Sequence, residues 1–134
     1  MRSNLVALTF TNSPTLFKNQ SKLLDTAAKT PNSFLTISTG IHETSIFISK
    51  NLSEEAKKIF ENETKTLAVD GLSSITLMLP NDAIDTPGIH YSVFKKLYGQ
   101  GVNVFETATS YTELTLFLYS KDVEKAFSAL KNLT

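Results

Sequence analysis

The residues that could do chemistry concentrate in one stretch, Leu79-Pro80-Asn81-Asp82-Ala83-Ile84-Asp85-Thr86-Pro87-Gly88-Ile89. It reads as a loop leading from a strand into a helix, with Pro87 at the first helical position. Such a loop makes a small anion site, because the first N–H groups of a helix lack intrahelical acceptors and the macrodipole adds positive charge. Gly88 would let a ligand approach the backbone closely. No acid follows in the first turn of this helix. The helices expected near Ser53 and Ser120 instead carry Glu54, Glu55 and Asp122, whose carboxylates would occupy or neutralise that end. Asp82 and Asp85 add two carboxylates to the loop, for which plain solvation is the alternative to a binding role.

Other chemistries find less support. His42 and His90 are far apart in sequence, one expected on a strand and one in a helix's first turns, so no metal site is expected; His90, near the loop, could contact a ligand. Glu106 and Glu113 fall on adjacent expected strands, and paired carboxylates can divide acid and base roles. No nucleophile with a base accompanies them, and no enzyme is expected. Cysteine is absent, which removes disulfides, thiol catalysis and thiolate metal sites and suits a reducing, cytoplasmic setting. No cofactor is implied.

Thirteen basic residues balance thirteen acidic ones, and Arg2 is the one arginine, which argues against nucleic acid as a partner. Met1–Phe10 is too short and too broken by polar residues for a signal peptide or membrane span, so no membrane association is expected. The glycosylation-type tripeptides starting at Asn51, Asn62 and Asn132 are then chance.

The elements that must position the loop follow from periodicity. Leu5–Phe10 is an apolar β-compatible run that ends at Asn12-Ser13-Pro14, where Ser13 can cap a helix. Leu16, Phe17, Leu23, Leu24, Ala27 and Ala28 give that helix its stripe, and Pro31 stops it. Phe34–Thr39 and Ile41–Ser49 alternate as a hairpin around Gly40. Ala56, Ile59 and Phe60 mark a second helix, and Thr66–Val69 a short strand. From Ser73 the order repeats. Ile75, Leu77 and Leu79 alternate; Ile89, Val93, Phe94 and Leu97 form a helical stripe that ends at Gly99 and Gly101; strands follow at Val102–Thr109 and Thr112–Tyr119; the last helix buries Val123, Ala126, Phe127 and Leu130.

The halves align across a shift of about seventy residues, Ala56 with Ala126 and Phe60 with Leu130. The expected class is therefore α+β: two ferredoxin-like βαββαβ units, residues 1–70 and 71–134, each an antiparallel sheet with its helices on one face. The second unit lacks a closing strand, and an open edge is a liability. Leu5–Phe10, Leu67–Val69 or another subunit is expected to lend one. Phe105, Phe117 and Tyr119 fall opposite the Leu114, Leu116 and Leu118 face, which makes both faces apolar and calls for a cover, from the other unit or a second chain.

Ser74-Ile75-Thr76-Leu77, Asp85-Thr86-Pro87-Gly88, Gly101-Val102-Asn103-Val104 and Thr109-Ser110-Tyr111-Thr112-Glu113-Leu114-Thr115, taken in order, resemble an ACT domain. The resemblance covers roughly the second half of the chain and is similar to the tandem pair of aspartate kinases. It implies a regulatory module that holds a small ligand, an amino acid, at an interface between units, with Asp85, Thr86, Pro87, Gly88 and Ile89 on the loop and Asn103 and Val104 on the facing strand. It also implies a homodimer and a separate metabolic enzyme as the regulated partner, with a ligand-free assembly module as the alternative. The first copy reads Asn12-Ser13-Pro14-Thr15, and Thr15 in place of glycine narrows access to the backbone there.

Overall fold

The computed structural model describes residues 1–79 and 88–131. It is α+β, with strands β1 (Arg2–Thr11), β2 (Leu35–Thr39), β3 (Glu43–Ser49), β4 (Lys65–Met78), β5 (Glu106–Thr109) and β6 (Glu113–Tyr119). Four α-helices accompany them: α1 (Leu16–Lys29), α2 (Ser53–Ile59), α3 (Ile89–Gly99) and α4 (Val123–Leu130). The strands run in one antiparallel hydrogen-bonded order, β2-β3-β1-β4-β6-β5. The chain divides into two compact units, Asn4–Gly71 and Met1–Ser3 with Leu72–Thr134. Both dividing points, Asn4 (φ 58°) and Gly71 (φ 72°), adopt left-handed backbone, which these two residue types tolerate best.

In the first unit, β1 pairs with β3 in a register that sets Val6 opposite Ile48 and Leu8 opposite Ile46. Alternation sends Val6, Leu8, Phe10, Ile46 and Ile48 to one face, where they pack with Leu16 and Leu23 of α1 and with Leu52, Ala56 and Phe60. The Phe10 and Phe60 rings stack at 4.8 Å. Each such side chain contributes about 1.5–3 kcal/mol by leaving water. In the second unit β4 and β6 send Ile75, Leu114, Leu116 and Leu118 to the face that receives Val93 and Leu97 of α3 and Ala126 and Leu130 of α4.

The opposite faces are buried as well, through Leu5, Ala7 and Phe47 in the first unit and Leu72 and Phe117 in the second. Phe117 is therefore core, while Tyr119 stays 40% exposed and meets Phe105 edge-on at 6.0 Å.

Several boundaries differ from expectation. Thr66–Val69 and the strand expected from Ser73 are one element, β4, in which the Asp70 carboxylate accepts the Gly71 N–H at 2.7 Å. Met1–Ser3 is the stretch that belongs with the second unit; Leu5–Phe10 and Leu67–Val69 stay in the first. Short 3₁₀ turns at Lys50–Leu52 and Ser120–Asp122 precede α2 and α4, so neither Ser53 nor Ser120 acts as a side-chain cap. On α1, Phe17 and Leu24 are 55% and 52% exposed, and the buried stripe is Leu16, Gln20 and Leu23. Phe127 of α4 is likewise exposed.

β5 starts four residues later than expected, because α3 ends in a Schellman motif that uses the chain up to Val102. The Gly101 N–H donates to the Tyr98 carbonyl and the Val102 N–H to the Leu97 carbonyl, each at 3.0 Å, with Gly101 at φ 74°.

Candidate functional site

The start of α3 takes its shape from Gly88, the N-cap, at φ 86° and ψ 1°. That left-handed backbone is open to glycine and strained for other residues, which is why the sequence has glycine at this point. The Gly88 carbonyl accepts the Ser92 N–H at 2.8 Å, closing the first turn. The N–H groups of Ile89, His90 and Tyr91 then have no acceptor within the helix. No acid stands in the first turn, and among the described residues no side chain caps it. Gly88 is exposed, and a Cβ added to it would meet nothing within 4 Å. The approach to the backbone at Gly88 is therefore unobstructed by the described residues.

Of the other expected site residues, Ile89 is half-buried and His90 exposed on α3. Asp85, Thr86 and Pro87, with Asp82 and the rest of the loop Asn81–Thr86, lie outside the described residues. Asn103 and Val104 do not stand on a strand, since the Schellman termination of α3 leaves residues 102–105 irregular before β5. Val104 packs against the core of the second unit and Asn103 is exposed, so the polar member of the pair is the accessible one.

The equivalent place in the first unit is built differently. Thr15, the N-cap of α1, has right-handed backbone (φ −92°, ψ −12°). Ser13 does not cap the helix; its hydroxyl donates to Glu63 Oε1 at 2.5 Å. Thr15 Oγ1 and Asn19 Nδ2 both donate to Glu63 Oε2, at 2.6 and 2.8 Å. Glu63 reaches this position from the connection between α2 and β4, where its N–H donates to the Phe60 carbonyl at 3.0 Å and the Thr64 carbonyl accepts the Thr11 N–H at 2.9 Å. The Ser13 hydrogen bond first, and then that of Thr15, hold the Glu63 carboxyl below the ordinary value of 4.5; Asn19 adds to this and partial desolvation opposes it. The loop of the first unit is thus closed by a carboxylate of the chain itself.

Glu63 and Asn19 were not among the residues singled out from the sequence. Their contact spans 44 positions and that with Ser13 spans 50, so no local spacing signals them.

The remaining candidates separate. Glu106 is opposite Phe117 and Thr109 opposite Leu114, which puts Glu106 about 13 Å along the ladder from the position facing Glu113. The two carboxylates do not form a pair. His42 is in the turn before β3, not on a strand, and its carbonyl accepts the Asn12 N–H at 2.9 Å. No group of three or more His, Cys, Asp or Glu residues that could hold a metal occurs among the described residues, and none of their helices is long and apolar enough to cross a membrane.

No protein-family model and no curated protein matches the sequence. Solved structures do match. The ligand-free regulatory subunit of aspartate kinase from Thermus thermophilus superposes over 98% of this chain and 92% of its own, with a TM-score of 0.73 and 15% identity. Aspartate kinase from Synechocystis matches 98% of this chain at a TM-score of 0.73 and 22% identity. The fold is ACT-like. Aspartokinase III from E. coli, in complex with lysine and aspartate, has the ACT-like fold over 98% of this chain at a TM-score of 0.69 and 15% identity. This chain spans about a quarter of the Synechocystis enzyme and about a third of the E. coli one. The start of α3 is thus open among the described residues, whereas the start of α1 is filled by Glu63.

Proposed function

We propose that this chain is an ACT-type regulatory module that binds a small ligand, an amino acid, at the loop before α3. This reading treats its two units as two ferredoxin-like copies, residues 1–70 and 71–134. The observation that carries it is the start of α3, where exposed, left-handed Gly88 precedes a first turn with no acid and no side-chain cap among the described residues. A ligand carboxylate would accept the N–H groups that follow Gly88, Asp85 would meet the ammonium, and Asn103 could take either group. Ile89 and Val104 supply the apolar border, and Thr86 and Pro87 shape the loop. The fold shared with regulatory parts of aspartate kinases supports the role, and so does the similar fold of the E. coli enzyme in complex with lysine and aspartate. The ligand signal passes to a separate metabolic enzyme, through a homodimer; no catalytic role is assigned.

A thermal-shift panel of the common amino acids tests this, since a ligand that prefers the native state at about a hundred times its Kd adds about 2.7 kcal/mol of stability. At least one amino acid should raise the Tm, and Asp85→Ala should weaken that response while the oligomeric state is unchanged. If none acts at millimolar concentration and the chain still self-associates, the ligand reading fails and a ligand-free assembly module takes its place.

A further inference from the structure

The cluster around Glu63 has the composition of an occupied binding site. Two hydroxyls and one amide, from Ser13, Thr15 and Asn19, converge on a single carboxylate, with Oε1 receiving one donor and Oε2 two. A groove of about 450 Å³ runs between α1 and α2 directly beside it, lined by Thr15, Asn19 and Glu63 together with Lys18, Lys22 and Lys58. Three ammonium groups on the rim favour a negative charge there, and Glu61 is the other acid lining it. The offset that aligns Phe60 with Leu130 places Leu133 where the first copy has Glu63, so the second copy has no carboxylate to offer at the equivalent position.

We infer that the first unit contains a carboxylate-binding site which Glu63 fills from within, an autoinhibitory contact that excludes free carboxylate ligands from this unit. The inference goes beyond the ligand reading at α3 and does not depend on it. The Glu63 carboxyl, held below its ordinary value by these hydrogen bonds, agrees with a carboxylate kept in its charged form by donors that receive one. The donors carry no chemistry beyond recognition of a carboxylate, so the class of guest is any small monocarboxylate that fits the vacated volume.

Chemical rescue is the test, on the full chain with acetate as the probe and chloride at matched ionic strength as the control. Glu63→Ala should lower the Tm, and acetate at neutral pH should restore about half or more of the loss along a saturating curve, with chloride inactive. Wild type should show no acetate response beyond chloride. Adding Ser13→Ala and Asn19→Ala to Glu63→Ala should abolish rescue. Glu63→Gln, whose amide still fills the space, should not respond to acetate. An acetate response of Glu63→Ala no larger than its chloride response overturns the inference, as does an equal response from wild type or from Glu63→Gln. Should Glu63→Ala not fold, carboxyl titration of the wild type by NMR decides: Glu63 must titrate below the ordinary glutamate value, and titration at that value overturns the inference.

Discussion

At the scale of single residues, Glu63 makes stability depend on pH in a direction fixed by its hydrogen bonds. Its folded-state pKa lies below the ordinary value, so its contribution is fully present above the unfolded-state range near 4.5 and is lost as pH falls through the lower, folded-state value. The other charged groups lining its groove are Lys18, Lys22, Lys58 and Glu61. Urea midpoints measured from pH 6 down to pH 3 should therefore drop more steeply for wild type than for Glu63→Gln, with the curves converging at the acid end. Parallel curves would show that the three donors do not distinguish carboxylate from carboxyl. Gln20 gives a prediction of opposite sign. It is 8% exposed, and its Nε2 has no hydrogen-bond partner. An unmet buried donor costs about 1–3 kcal/mol. The fifth residue of α3, matching Gln20 as the fifth of α1, is buried Val93. Gln20→Leu should raise stability by about 1 kcal/mol in equilibrium urea unfolding, and an unchanged or lower midpoint would mean that the amide is satisfied in solution.

At the scale of elements, α3 is bounded by two glycines in left-handed backbone, and the distal one is separable from any ligand question. A Cβ on Gly101 would meet nothing within 4 Å, so alanine there suffers only backbone strain, about 1–2 kcal/mol. Gly99, the last residue of α3, has no positive φ and equally open surroundings. Gly99→Ala should add about 0.5–1 kcal/mol and Gly101→Ala should remove about 1–2, two residues apart and with opposite shifts in Tm. The glycines that end α3 were legible from the sequence as helix punctuation, as were the α-helices of the described residues, the apolar run of β1 and the alternating cores of β3, β4 and β6. The start of β5 was not, because propensity extends the strand to Val102 whereas the Schellman bonds to Leu97 and Tyr98 claim the chain first. The unity of β4 was not legible either, since Thr66–Val69 and the strand from Ser73 read as separate elements and the Asp70 side chain satisfies the Gly71 N–H within the one strand. The stripe of α1 was misassigned for a related reason: Phe17 and Leu24 are apolar but face outward, and polar Gln20 takes the inward position that periodicity alone would give to an apolar residue. For the candidate site, Gly88 and its acid-free first turn could be read directly, whereas the closure of the first copy could not, because it depends on a residue brought across 50 positions by the fold.

At the scale of the whole molecule, two compact units raise the question of two ligand sites, and the residues at the starts of α1 and α3 argue for one. Thr15 is right-handed where Gly88 is left-handed, and a carboxylate already occupies the first position, while among the described residues the first turn of α3 carries none. Any amino acid found by the thermal-shift panel should therefore bind with one site per chain by isothermal titration, whatever the number of chains in the assembly. Glu63→Ala should leave that affinity within about twofold and expose a second, weaker event, because the vacated Ser13, Thr15 and Asn19 donors recognise the carboxylate, while the sequence has Asn12 where the loop before α3 has Asp85. Two equivalent sites per wild-type chain would contradict the closure of the first unit. A single site lost in Glu63→Ala would place the ligand in the first unit and contradict the assignment to α3. One retained site, joined by a weaker second when Glu63 is removed, is the outcome that both assignments require together.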